Sequence, residues 1–315
     1  MDITLSIVIF AYNHEKYICK CIDSILNQKM DFEAEIIIAD DCSTDNTVQV
    51  VSKKYGNRVK IWSNERNVGL CQNIYNTFKK VNGQYIYECA GDDFLDDDRV
   101  LSTQVRFLEE HAEYFSVTGW MLLKNEMSGE SKIKELPYKE YSMVNFLRGE
   151  AAFFSMGVIR NTFKEDQVEY LTKASRNNEE VQMLYYTLKK GKKYILPQAA
   201  YTYCYRVGEG LDNYCSTHDA LDMLSDYARG FQAIEKWDRD SSMYNFDIAK
   251  LKRYESFIDR ILENGKTDQI LQIRSALPIG DILKFAMYKL IIKMNHRRIP
   301  EGLLKEQHLI KAGKQ

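Results

Sequence analysis

The sequence predicts an α/β protein: a doubly wound, mostly parallel, Rossmann-like sheet followed by a C-terminal helical appendage. Three observations predict it. Short β-prone runs, Leu5 to Phe10, Glu35 to Ala39, Val59 to Ser63 and Tyr85 to Cys89, alternate with stretches of helical apolar spacing. Such alternation marks βα units joined by crossovers. The first run is apolar almost throughout, with Ser6 its one polar member, as in strands covered on both faces. From about Thr217 onward glycine becomes scarce and the pattern turns wholly helical.

In chain order, the first run ends in Ala11-Tyr12-Asn13, and Asn13 is placed to cap a helix from Glu15 to Gln28 carrying Ile18, Ile22, Ile25 and Leu26 at helical spacing. The second run enters Asp40-Asp41-Cys42-Ser43, where Ser43 can cap a helix that turns Val48, Val51 and Tyr55 inward and stops at Gly56. The third is followed by Asn64 to Gly69 and a helix to about Val81, closed by Gly83. Val100 to Glu110 reads as a further helix and Phe115 to Leu122 as a strand. Lys124 to Tyr141 turns polar and reads as a surface excursion. A helix opens at Asn177-Asn-Glu-Glu180 and ends at Gly191, followed by strand character at Tyr194 to Leu196 and Ala200 to Tyr205. The expected division is an α/β part over 1–122, a second part over 123–212 and a helical region over 213–315.

A chain of 315 residues with 45% hydrophobic content can bury a large core, and a net charge of −2 gives no reason to expect nucleic acid as a partner. Its seven cysteines, at 19, 21, 42, 71, 89, 204 and 215, include no Cys-x-x-Cys pair and point to a reducing, cytoplasmic setting. The N-terminus reads directly into a strand without a signal-peptide pattern, and no apolar run reaches the roughly 20 residues of a membrane span.

The chemistry gathers at one predicted sheet edge. Tyr85 to Cys89 delivers Gly91-Asp92-Asp93 to the carboxyl end of its strand, where ligands of open α/β sheets bind. Two adjacent carboxylates suit Mg²⁺ or Mn²⁺ bridging to phosphate; acids also simply favour helix starts, which is the reading for Asp96, Asp97 and Asp98. Ala11-Tyr12-Asn13 and Asp40-Asp41 end neighbouring strands. Together these loops look like a nucleotide site, with an aromatic ring along a base, a carboxylate for a ring N–H and an acid for the metal. Core filling by Tyr12 and turn formation by Asp40 and Asp41 are the plainer alternatives, and only one of the two aspartates is expected to meet ligand.

Four ordered stretches, Ser6-Ile-Val-Ile-Phe-Ala-Tyr-Asn13, Ile37-Ile-Ala-Asp-Asp-Cys-Ser-Thr-Asp45, Asn67-Val-Gly69 and Gly83-Gln-Tyr-Ile with Gly91-Asp-Asp93, resemble the signature of glycosyltransferase family 2 across roughly residues 3 to 212. The resemblance implies an inverting nucleotide-sugar transferase of the GT-A fold. It implies that Phe10 and Ala11 through their backbone, and Tyr12 and Asn13, line the base; that Asp41 holds the pyrimidine; that Asn67 and Gly69 belong to the donor site; that Asp92 approaches the ribose; and that Asp93 binds Mn²⁺ or Mg²⁺. Phe10 stands where the family usually has proline.

Inversion needs one general base on the acceptor hydroxyl. By the resemblance this is Glu180, eleven residues before Gly191, where the family more often has aspartate; Glu179 is the alternative, and both acids also suit a helix N-terminus. Ala151 to Ile159, with Phe153, Phe154 and Met156, corresponds to an acceptor wall or is ordinary core. Relatives often read Tyr-Arg-x-His where this chain has Tyr205-Arg-Val-Gly208, which leaves Asp93 and water as the expected metal coordination and Arg206 either facing the diphosphate or structural. Gly208-x-Gly210 and Gly265-Lys266-Thr267 lack the context of dinucleotide and P-loop motifs, and the histidines lack paired metal spacing.

In the C-terminal region, Leu221, Leu224 and Tyr227 form one helical stripe and Ile248, Leu251, Ile258 and Leu262 another. Ile279 to Arg298 places Leu283, Ala286, Met287, Leu290, Ile291 and Met294 on one face, accompanied by Lys284, Lys289, Lys293, Arg297 and Arg298. That face is expected to pack on its own domain or a second copy, or to touch an anionic membrane surface. The leading expectation is a metal-dependent transferase moving sugar from a UDP-sugar to a glycan or lipid-linked acceptor of a bacterial surface polysaccharide, cytoplasmic or peripheral at the inner membrane face. A silent nucleotide-sugar-binding subunit is the alternative. A nucleotidyltransferase would want a glycine- and lysine-rich loop after the first strand, and Ala11-Tyr12-Asn13-His14 is not one.

Overall fold

The structure is a computed structural model that describes residues 3–136, 139–150, 157–166, 168–176, 178–205, 220–263, 273–274, 276–294 and 298–310. The first half follows the predicted alternation: β1 (Leu5–Ala11), α1 (Ile18–Leu26), β2 (Ala34–Asp40), α2 (Thr47–Tyr55), β3 (Lys60–Ser63), α3 (Leu70–Phe78), β4 (Tyr85–Ala90) and α4 (Val100–Glu110). Strand β5 (Tyr114–Asn125) then turns back into β6 (Ser131–Lys134), and β7 (Glu140–Tyr141), α5 (Met143–Leu147), β8 (Val158–Arg160), α6 (Glu180–Lys190) and β9 (Lys192–Tyr205) complete the sheet. The polar excursion at 124–141 is therefore partly ordered as a hairpin, closed where Gly129 takes φ +75°.

The sheet order is β3-β2-β1-β4-β8-β5-β9-β7, with β6 on β5. Strands β3, β2, β1 and β4 are parallel, and so are β5 and β9. Strand β8 enters antiparallel between β4 and β5, so the parallel first half and the second half do not form one uninterrupted parallel sheet. The expected pair of strands at 194–205 is one long strand with register shifts against β5, accommodated at Gly119, where a Cβ would stand 2.4 Å from the Gln198 carbonyl.

Ser6 is polar in a buried strand for a reason found at its neighbours. Its hydroxyl donates to Glu35 Oε1 at 2.6 Å and accepts the Gly83 N–H at 2.8 Å. Glu35 also accepts from Lys60 Nζ at 2.7 Å and Asn82 N at 3.0 Å. Burial opposes its charge, but these donors outweigh it and hold its carboxyl below the ordinary range. Gly83 does not close α3, which ends at Phe78; it lets the chain run close to β1, since a Cβ there would stand 2.4 Å from the Ser6 amide nitrogen.

Both faces of the sheet are covered. Helices α1, α2 and α4 bury Ile22, Val51, Leu101 and Val105 on one side. On the other, Ile74 and Phe78 of α3, Phe146 of α5 and Leu184 of α6 pack in one continuous core with Phe231 of α7 (Ala220–Trp237) and Ile248 of α8 (Asp247–Glu263). The C-terminal helices thus share the core of the sheet's second face.

Helix α9 (Ile279–Met294) packs one face on the core and leaves the other to solvent. Its inner contacts are made by Asp281 and Tyr288, both buried: Lys250 Nζ donates to Asp281 at 3.1 Å and the Tyr254 hydroxyl at 3.1 Å. Of the expected stripe, Ile291 packs against the core, whereas Leu283, Ala286, Met287, Leu290 and Met294 face outward together with Ile279. Short α10 (Glu306–Leu309) returns toward the sheet-side core with Leu309 buried.

Candidate active site

The loops leaving β1, β2 and β4 lie side by side because those strands are adjacent and parallel, with Ala11 opposite Asp40 and Phe10 opposite Ala90. The backbone continues the alignment beyond the strands, since Asp41 N donates to Ala11 O at 2.9 Å and Gly91 N to Phe10 O at 2.8 Å. Asp41 and Gly91-Asp92-Asp93 therefore flank the same strand end. Gly91 lies close under two side chains there, since a Cβ would stand 2.7 Å from His14 Nδ1 and 2.6 Å from Ile18 Cδ1, and a larger residue would have to push both aside.

Tyr12 is 44% exposed, so it does not fill the core; its ring is open to solvent at the strand end, beside buried Phe10 and Ala11. Asn13 does not cap α1, whose N-cap is Tyr17, and Ser43 does not cap α2, whose N-cap is Asn46. The two instead join the loops to each other. Asn13 takes φ +59°, donates its N–H to Ser43 Oγ at 2.9 Å and accepts Thr44 N–H on Oδ1 at 2.8 Å. Local Asx and hydroxyl chemistry thus competes with capping, and the loop-to-loop bond wins.

Asp40 and Asp41 are both buried and do different work. Asp40 closes a turn by accepting from Ser43 N at 3.2 Å. Asp41 reaches the loop before α3, accepting Val68 N–H at 2.8 Å, Gly69 N–H at 2.7 Å and Asn64 Nδ2 at 2.9 Å. Its carboxylate thereby occupies the N-terminal approach to α3 and fixes Asn67 to Gly69 in place.

Asp92 is partly accessible, whereas Asp93 is 2% exposed and accepts the Cys204 N–H on Oδ1 at 2.9 Å. That bond ties the Gly91 to Asp93 loop to the end of β9. Of the acids expected to start α4, Asp97 accepts Arg99 N–H at 2.7 Å, Asp98 pairs with Lys29, and Asp96 accepts the Thr202 hydroxyl proton, stitching the loop to β9. Among the described residues no three His, Cys, Asp or Glu side chains converge on one point.

Glu180 opens α6 and Glu179 precedes it. Both side chains are partly buried. Burial raises the Glu180 carboxyl above the ordinary carboxylate range, opposed by the positive charges of Arg253 and Lys134. Burial also pushes Glu179 up to about 7, against its own backbone N–H and with the negative charge of Glu180 adding to it. Beneath them, burial pushes Glu88 of β4 up to about 8, reinforced by Glu179 and opposed by Lys193, and Glu88 Oε2 is buried without a hydrogen-bond partner among the described residues. Burial lowers Lys193 to about 8. Sequence reasoning missed Glu88, Lys134 and Arg253; the first was legible as a lone acid in an apolar strand, whereas Lys134 and Arg253 come from a hairpin and a distant helix. Phe153, Phe154, Met156, Arg206 and Gly208 lie outside the described residues.

The family model described as Glycosyl transferase family 2 matches residues 6–170, just over half of the chain. The chain belongs to glycosyltransferase family 2. Chondroitin synthase of Pasteurella multocida is 40% identical over 108 residues, which is 34% of this chain and 11% of that protein. The chain spans less than half the length of the curated relatives it matches. Among solved structures, Staphylococcus aureus TarS 1-349 in complex with UDP-GlcNAc superposes with a TM-score of 0.59 at 19% identity, covering 87% of this chain and 79% of that one. The mannosyltransferase PcManGT from Pyrobaculum calidifontis, in complex with GDP-Man and Mn²⁺, gives a TM-score of 0.50 at 13% identity, covering 94% of this chain and 84% of that one. These likenesses establish the GT-A fold of this family 2 chain.

Proposed function

We propose that this chain transfers a sugar, with inversion, from a nucleotide sugar to a hydroxyl of a glycan or lipid-linked acceptor, in the building of a bacterial surface polysaccharide. A single observation carries the reading: an open tyrosine ring, Asp41 and the Asp92-Asp93 pair meet at the ends of three adjacent parallel strands. Tyr12 with the Phe10, Ala11 and Asn13 backbone lines the base, Asp41 with the Asn67 to Gly69 loop receives its polar edge, and Asp92 meets the ribose. A UDP-sugar is the favoured donor, supported by the UDP-GlcNAc bound by TarS.

Asp93 offers a hard oxygen donor, and with no three-residue cluster among the described residues a divalent cation would be completed by phosphate and water, as Mg²⁺ and Mn²⁺ accept. PcManGT binds Mn²⁺. Such a cation neutralises charge on the leaving diphosphate. Glu180 takes the proton of the acceptor hydroxyl as its oxygen bonds to the anomeric carbon, and the bond from that carbon to the diphosphate oxygen breaks, releasing the nucleotide. Burial raises the Glu180 carboxyl, and the positive charges of Arg253 and Lys134 oppose that rise without cancelling it.

Among the described residues no helix is long and apolar enough to cross a membrane. The outward stripe of α9 is the proposed surface for a second copy or for the inner membrane face, where a lipid-linked acceptor would be found. The function is tested by thermal shift of the chain against a panel of UDP- and GDP-sugars with Mn²⁺, followed by nucleotide release in the presence of acceptor glycans. A donor that raises the melting point and turns over establishes the reading. Failure of every nucleotide sugar to shift it removes the reading.

A further inference from the structure

The segment that carries the candidate base is fastened to the loop that Asp41 holds. Arg176 lies at this junction. Its carbonyl accepts the Cys71 N–H at 3.1 Å, and its guanidinium Nη2 donates to the Asn67 carbonyl at 2.8 Å and to the Asn67 side-chain oxygen. Gly69, at φ +89°, lies flat against it: a Cβ there would stand 2.2 Å from Arg176 Cγ and 2.8 Å from its carbonyl oxygen. On the far side of the same loop, Asp41 accepts the Val68 and Gly69 amides.

The bonds continue toward α6. Ser175 Oγ accepts the Asn178 N–H at 3.2 Å, and Asn178 Oδ1 accepts the Glu180 N–H at 3.3 Å. The Asn178 carbonyl accepts Gln182 Nε2 at 3.2 Å. Ser175 and Asn178 are buried, whereas Arg176 is exposed. The route from Asp41 to Glu180 thus consists of short polar contacts and one glycine contact, and Arg176 is its one solvent-facing member that uses a side chain to bridge two segments more than a hundred residues apart.

We propose that Arg176 is a positioning residue that braces the Glu180 segment against the donor loop, so that the base and the nucleotide site hold one fixed relation. The proposal rests on the reading of Glu180 as base and of Asp41 as a donor contact. Arginine suits the task because a single Nη2, held in the guanidinium plane, donates to both the Asn67 carbonyl and its amide oxygen, an orientation that the rotating ammonium of lysine does not fix. A base displaced by about 1 Å can cost on the order of a hundredfold in rate. Asp41 holds the Val68 and Gly69 amides without help from Arg176, so loss of the brace shifts the base more than it shifts the donor loop, and the rate falls by more than the donor affinity. A fall in UDP affinity as large as the fall in kcat overturns the proposal.

The test uses the full chain with Arg176→Met, which keeps an aliphatic stem beside Gly69 and removes the donors, and Arg176→Lys. Transfer is followed with the sugar nucleotide selected by the thermal-shift screen, and binding is measured with UDP and Mn²⁺ by calorimetry. Arg176→Met is expected to lower kcat by about tenfold or more, leave UDP affinity within about twofold, and raise the ratio of donor hydrolysis to transfer, since water needs no placed hydroxyl. Arg176→Lys is expected to fall between it and the parent, and it carries the same comparison if the methionine variant folds poorly. An unchanged kcat, or lost UDP affinity with unchanged kcat, overturns the proposal. Glu180→Gln run in parallel separates the failures: if it transfers normally the base reading is wrong, and if it is dead while Arg176→Met is normal the brace alone is wrong.

Discussion

The Asp41 carboxylate accepts the Gly69 N–H at 2.7 Å, across a gap of 28 residues in sequence. This one bond makes the end of β2 and the start of α3 a single unit, and it means that the aspartate expected to meet the base also builds the wall beside it. Asp41→Ala should therefore do two things at once. Leaving the buried Gly69 amide without an acceptor costs about 1–3 kcal/mol, with a smaller loss at the partly buried Val68 amide, so the melting point falls, and UDP affinity falls with it. A variant that keeps its melting point while losing UDP would show that Asp41 serves the ligand alone.

Glu180→Gln should abolish transfer while UDP binding survives, and Glu179→Gln should leave most of it. The pH profile gives an independent reading. A base works when ionised, so transfer rises as pH climbs through its pKa. Because burial raises Glu180, that acid limb lies above the ordinary carboxylate range; a limb near 7 that disappears in Glu179→Gln would instead assign the base to Glu179, which burial holds at about 7. Steady-state rates across the acid range decide between them.

The fold was largely legible, for reasons visible in particular residues. The apolar β1 and β2 and the glycines after α2 and β4 announce βα units through local pattern alone. What stayed hidden depends on partners distant in sequence. Nothing local to Val158–Arg160 says that β8 slips antiparallel between β4 and β5, and nothing near Asn13 says that its side chain will join Thr44 rather than cap α1. The site was legible where strand ends carry it, at Tyr12, Asp41 and Asp93. It was illegible where charge arrives from elsewhere, as Arg253 and Lys134 do at Glu180.

Asp93→Ala should remove the metal's contribution and, by freeing the Cys204 N–H, loosen the end of β9. The expected outcome is loss of transfer and loss of any Mn²⁺-dependent rise in melting point in the presence of UDP. EDTA should reproduce the first effect on the parent chain. Full activity in EDTA would remove the metal from the reading.

Glu88 offers a prediction about stability. Its folded carboxyl titrates at about 8, above an ordinary value of 4.5, because burial and the neighbouring Glu179 disfavour its charge more than Lys193 favours it. A raised carboxyl binds its proton more tightly folded than unfolded. Its contribution is thus complete below the unfolded value and is lost as pH rises through the folded one. Glu88→Gln has nearly the same shape and cannot ionise, so the decline in melting point between about pH 5 and pH 8 should flatten, most visibly at the alkaline end. An unaltered slope would mean that other groups set it.

The outward stripe of α9 allows two occupants that make opposite predictions. Ile279, Leu283, Met287, Leu290 and Met294 expose apolar surface on the order of 500 Å², at the upper end of what monomers leave open. A symmetric pair would bury about twice that in total, enough to reach the lower bound for a specific interface. Two of the lysines at its margin, which would otherwise meet anionic headgroups, are paired within the chain, Lys284 with Asp247 at 2.7 Å and Lys289 with Glu255. Neutralised margins weaken attraction to an anionic bilayer without weakening contact with a second copy. Leu283→Glu together with Leu290→Glu should therefore convert a dimer to a monomer in analytical ultracentrifugation while leaving the melting point of the chain close to its parent value, since both positions are exposed. Flotation with vesicles rich in anionic lipid provides the contrast. A parent chain that sediments as a monomer yet floats with such vesicles, and fails to float once the two glutamates are introduced, would assign the stripe to the membrane instead.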